Sequence, residues 1–203
     1  MSAQWIAVVF LLCGTAFSQQ AGANWLNPSD EQIARAIDLG FQAAKPPYHA
    51  FSFDPQKSRI GTKYLQQPNL TVVTPLLCSF GSGLNAHNGL KDKPDVSDVK
   101  KACFGKVIVV ITHISPSRNA NWPVVLERAG ERMQPTYSLP DNSPVSTRYT
   151  TPFGKQRGYQ YQDKYIFVLS EAWEAGFKLT YADDSGTHHD LTVETASFAR
   201  DVT

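Results

Sequence analysis

FKLTYADDSGTHHDLTV, residues 177–193, carries the alternation that decides the fold. Phe177, Leu179 and Tyr181 fall on one side of an extended chain, and Leu191 and Val193 on one side of the next run. Residues directly opposite in a hairpin share a face, so the register has to match these sets. Tyr181 opposite His189, Leu179 opposite Leu191 and Phe177 opposite Val193 does so. That register leaves Asp184-Ser185-Gly186 as a three-residue loop, with Gly186 at the left-handed position that favours glycine. A two-residue loop would instead set Leu191 against Lys178, core against solvent. His188, Asp190 and Thr192 are then expected to point outward, alongside Lys178, Thr180 and Ala182.

The same reading extends toward the N-terminus. Val107 to Ile114 is apolar on both faces, as a central strand requires, and so is Tyr165 to Leu169. Val124 to Glu127 and Arg132 to Thr136 flank Ala129-Gly130 as a hairpin, and Leu70 to Thr74 reads as a short strand. The fold class that follows is mainly β, an immunoglobulin-like antiparallel β-sandwich. The order VIVVITHI, WPVVLERAG, YIFVLSEAW, GFKLTYADDSG resembles exported bacterial proteins with immunoglobulin-like sandwiches. This likeness of strand spacing covers residues 106–195 and brings no functional residue with it.

Ahead of the sandwich, Ser29-Asp30-Glu31-Gln32 is a capping-box pattern. Ile33, Ala36, Ile37, Gly40, Phe41 and Ala44 follow it at helical spacing, and Pro46-Pro47 stops the run. An N-terminal amphipathic helix is therefore expected, with one or two further helical turns over residues 95–102. Residues 1–23 read as an export signal: an apolar run from Trp5 to Phe17, then Ala21-Gly22-Ala23. The expected organisation is a signal over 1–23, an N-terminal helix and loop-rich extension over 24–105, and a β-sandwich domain over 106–203. The location that follows is secreted or periplasmic.

Composition excludes more than it assigns. The formal net charge is +1, and Lys100-Lys101 is the longest basic cluster, which gives no electrostatic footprint for nucleic acid. A polybasic membrane surface is equally unsupported, and no stable membrane insertion is expected once the signal is cleaved. Cys13 lies in the signal, leaving Cys78 and Cys103, an even number that favours one disulfide in an exported chain.

His188 and Asp190 share a strand face and offer two metal ligands. Catalytic zinc takes three protein ligands, and the facing Ala182 and Thr180 supply no strong third, so the pair reads as a solvated hairpin edge. Asp183-Asp184-Ser185-Gly186 is what the turn itself requires. Gly81-Ser82-Gly83-Leu84-Asn85-Ala86 matches a dinucleotide-binding pattern, but His87-Asn88-Gly89 follows at once, so it reads as a flexible loop and no cofactor is expected. Ser82 lacks a nucleophile elbow, and no catalytic constellation emerges.

The aromatic residues carry the remaining signal. Tyr159 and Tyr161 alternate, and Trp122 and Trp173 add large surfaces, a candidate ligand platform whose alternative is core packing. The expected function is an exported, non-catalytic binding or assembly module with a protein or glycan partner at the cell envelope. Carbohydrate binding on the aromatic platform is the second reading, and a metal-dependent hydrolase using His188 and Asp190 the third.

Overall fold

A computed structural model describes residues 25–43, 68–151 and 153–193. The expected signal over 1–23 lies outside them, as do Ala44 and Pro46-Pro47 at the expected end of the helix. The described strands are β1 (Asn69–Val73), β2 (Lys106–Ser115), β3 (Val124–Arg128), β4 (Glu131–Met133), β5 (Tyr137–Leu139), β6 (Val145–Thr151), β7 (Gly154–Val168), β8 (Phe177–Ala182) and β9 (His188–Val193). They form two antiparallel sheets. One runs β1-β2-β7-β5 with β6 also on β7, and the other runs β4-β3-β8-β9.

Alternation builds the core between the sheets. Val107, Val109 and Ile111 of β2 and Tyr165 and Phe167 of β7 meet Leu126 of β3, Leu179 of β8 and Leu191 of β9. Each such side chain, fully buried, contributes about 1.5–3 kcal/mol. The register of β8 on β9 is Phe177 to Val193, Leu179 to Leu191 and Tyr181 to His189, as the alternation requires. Gly186 has φ +76° in the connecting loop. Thr180 differs from the expectation: it is buried, its hydroxyl donating to Asp190 Oδ1 at 2.8 Å. Hydrogen bonding lets a polar side chain occupy that position.

Among the described residues, three α-helices accompany the sheets: α1 (Asp30–Gln42), α2 (Pro75–Asn88) and α3 (Val96–Cys103). The α1 N-terminus is a capping box, with Ser29 Oγ accepting from Gln32 N and Gln32 Oε1 from Ser29 N. The segment 81–86, expected as a loop, lies inside α2. Thr74 caps that helix through Leu77 N, and Pro75 opens its first turn, two start signals that outweigh the glycines. Gly83 serves packing. A Cβ there would stand 2.2 Å from Ile37 O, and one on Gly40 would stand 2.0 Å from Phe80 O, so α1 and α2 touch backbone to backbone. The Cys78–Cys103 disulfide joins α2 to the end of α3.

Residue 106 does not divide the chain into extension and sandwich. β1 supplies an edge strand, and Trp25 and Leu26 enter the sandwich core, where Trp25 Nε1 donates to Glu174 O at 2.8 Å. These residues, distant in sequence, are part of the same core as the strands of both sheets.

β7 is longer than its neighbour β2. Ser115, the last residue of β2, faces Tyr159, so residues 154–158 pair with β6 alone and the two form a projecting ribbon. Gly158 sits at its root, where a Cβ would meet Tyr149 Cε1 at 2.7 Å and Ser115 O at 2.8 Å. Among the described residues, no helix is long and apolar enough to cross a membrane.

Candidate functional site

Inward-facing positions near one end of the sandwich carry rings and carboxylates instead of aliphatic side chains. On β2 the buried set 107, 109, 111 continues to His113, and on β7 the set 167, 165 continues to Asp163 and Tyr161. Five rings stack in sequence across the two sheets. His113 lies 5.0 Å from Tyr161 at 10° and 4.1 Å from Trp122 at 20°. Trp122 lies 5.7 Å from Tyr181 at 6°, and Tyr181 lies 4.9 Å from His189 at 23°. Offset stacking of this kind adds about 0.5–1.5 kcal/mol per pair beyond burial.

Each histidine in the column meets an aspartate. His113 Nε2 lies 3.0 Å from Asp163 Oδ2, both side chains fully buried. Asp163 Oδ1 also accepts from Asp141 N at 2.8 Å. A carboxylate only accepts, so the ring proton is assigned to Nε2, and His113 Nδ1 has no hydrogen-bond partner among the described residues. At the other end, His189 Nε2 lies 2.8 Å from Asp183 Oδ2. Asp183 Oδ1 accepts from the amides of Ser185 and Thr187 and from the Ser185 hydroxyl. Burial works to raise the Asp183 pKa, but hydrogen bonds from Ser185, His189 and Thr187 together hold it below the ordinary 3.8. Burial, with the Asp183 charge second, pushes Tyr181 up to about 12, and burial, with Asp163 second, raises Tyr165 as well.

The column supports the loop between β2 and β3 from beneath. Tyr161 OH donates to Ser117 O at 2.8 Å and accepts from Ala120 N. Tyr165 OH donates to Trp122 O at 2.6 Å, and Trp122 Nε1 donates to Asp184 Oδ1 at 2.9 Å. Three aromatic side chains thus fix residues 116–123 and tie them to the β8–β9 turn. Arg118 and Asn119 remain exposed on that loop. Ser185 spends its hydroxyl on Asp183, so among the described residues neither imidazole carries a hydroxyl nucleophile.

Of the two readings of the aromatic residues, burial matches core packing and not the open platform. Trp122, Tyr161 and Trp173 are 3%, 2% and 1% exposed, and Tyr159 is half-buried, so they form no open face. Large rings on inward positions of a sandwich remove more apolar area from water than any face could keep. Trp122 and Tyr161 do come together, through His113 between them. His188 and Asp190 are exposed, and no group of three metal-ligating side chains forms among the described residues. Asp190 is engaged by Thr180 and Lys178.

His113, Asp163, Asp183 and Tyr181 share no motif that groups them in the sequence. The available signal was polarity on an inward face: His113 and Asp163 both fall on the buried parity of strands that are otherwise apolar there.

No family model and no solved structure matches this sequence. Among curated proteins, the chain is similar to a clustered mitochondria protein homolog of Caenorhabditis briggsae, 25% identical over 158 residues. It is also similar to a clustered mitochondria protein homolog of Caenorhabditis elegans, 26% identical over 161 residues. Each match covers 77% of this chain and 12% of the relative, so the chain spans about an eighth of their length. Both relatives are named for mitochondria, and this overturns the expected secreted or periplasmic location.

Proposed function

We propose that the protein is a non-catalytic binding or assembly module that recognises a protein partner through the loop over residues 116–123. The observation that carries this reading is the fixing of that loop by Tyr161, Tyr165 and Trp122 from within the sandwich. A surface held in one conformation before contact loses little entropy on binding, which is the usual route to affinity from a small patch. Loops seated on a rigid β scaffold commonly carry recognition. The match to a limited stretch of much longer relatives supports a unit that works as one part of an assembly. An immunoglobulin-like arrangement of the two sheets belongs to the same proposal.

The test is crosslinking capture with the full chain and with an R118A/N119A variant, both side chains being exposed and outside the column. A protein captured reproducibly by the wild type and lost by the variant, at unchanged melting temperature, supports the module. No specific capture, or capture that the variant retains, ends it.

A further inference from the structure

The β6–β7 ribbon collects charges that are scattered in the sequence. Arg148 stands directly opposite Arg157, and Thr150 opposite Lys155, so all three cations share one face of the ribbon. From Asn142 to Gln162 there is no acidic residue. None of the three forms an ion pair among the described residues. Like charges directly opposite across two strands are unfavourable, and no carboxylate among the described residues pairs with them. The opposite face is closed by the Tyr149 ring over Gly158. At the tip, Phe153 is 91% exposed, with its amide held by Thr151 Oγ1.

We infer that this ribbon docks end-on to an anionic lipid surface, with Phe153 entering the interface and Lys155, Arg157 and Arg148 meeting phosphate groups. The order of groups along the ribbon carries the assignment. The ring comes first, Lys155 follows about 7 Å behind, and the arginine pair about 13 Å behind at strand rise. Headgroups occupy about 5–7 Å above the hydrocarbon, and interfacial apolar groups reach about 5–10 Å into that boundary. Phe153 then lies at the boundary, Lys155 among the phosphates and the arginines within one Debye length of them. A nucleic-acid groove would take the cationic face broadside and leave the apolar tip unused.

Sedimentation of the full chain with vesicles tests the inference, using phosphatidylcholine alone and phosphatidylcholine with about 30% phosphatidylserine. Binding is expected on the anionic vesicles only, and weakened by high salt. Each cation near such a surface is worth roughly fivefold in partitioning, so K155Q/R157Q lowers binding about 25-fold. Phe153→Ser lowers it about tenfold, whereas Phe153→Leu retains it. Free glycerophosphoserine in excess leaves the protein bound, because the headgroup alone offers nothing to Phe153. All three variants lie on exposed ribbon positions, and thermal melting confirms that each is folded. Absent or charge-independent vesicle binding overturns the inference, as does displacement by the free headgroup. Binding to a short duplex DNA that needs the cations but ignores Phe153→Ser overturns it in favour of nucleic acid.

Discussion

His113 and Asp163 face each other at 3.0 Å on adjacent central strands, and neither side chain reaches solvent. The aspartate also anchors the Asp141 amide, so one carboxylate fixes an imidazole and a loop together. Replacing Asp163 by Ala leaves His113 with both ring nitrogens unpartnered and the Asp141 amide without its acceptor. Leaving a buried donor unsatisfied costs about 1–3 kcal/mol, and chemical denaturation of Asp163→Ala is expected to show a loss of at least that size.

The far end of the column makes stability depend on pH in two windows. Asp183 has a lowered folded pKa, so its contribution is present above about pH 4 and is lost as pH falls through the folded value. Tyr181 has a raised folded pKa, so its contribution is present below pH 10 and is lost as pH rises from 10.0 to about 12. Denaturation midpoints measured across pH should therefore flatten below pH 4 in Asp183→Asn and between pH 10 and 12 in Tyr181→Phe.

Gly83 admits no side chain, since its Cβ would fall 2.2 Å from Ile37 O. Gly83→Ala must push α1 away from α2, at a cost of about 2 kcal/mol typical of overpacking. Gly81 has open space around it, so Gly81→Ala leaves the melting temperature unchanged or raises it. Equal effects from the two substitutions would refute the backbone contact.

Reduction separates the helices from the sheets. The Cys78–Cys103 bridge closes a loop of 25 residues, worth about 3 kcal/mol in the chain-entropy model. Hydrogen exchange of C78S/C103S should accelerate in α2 and α3 while amides of β2 and β7 keep their protection.

The Arg148–Arg157 pair sets like charges across the ribbon, and Arg157→Thr removes the repulsion and adds a β-branched side chain. A gain of a few tenths of a kcal/mol is expected, larger at low salt, and a differential scan at two ionic strengths measures it.

Strand alternation made the β8–β9 register legible down to its glycine, because period two leaves a single pairing that keeps both apolar sets buried. The α1 start was legible for a similar reason: its capping box is a local pattern with one geometric solution. The segment 81–86 was misread because glycines signal loops, whereas here Thr74 and Pro75 start the helix and Gly83 admits another backbone. The ring column was not legible as a unit. Its members come from β2, β7, β8, β9 and a loop, and only pairing brings positions 113, 122, 161, 181 and 189 together. The cationic ribbon face is hidden in the sequence likewise: Arg148 and Arg157 are nine positions apart until β6 pairs with β7.

The ring column runs from one sheet into the other, and each of its two histidines is held by a carboxylate. For one sheet to slide over the other, the His113–Trp122 stack and the hydrogen bond from Tyr165 OH to Trp122 O would have to part together. Trp122 therefore acts as a dowel against shear at that end of the sandwich.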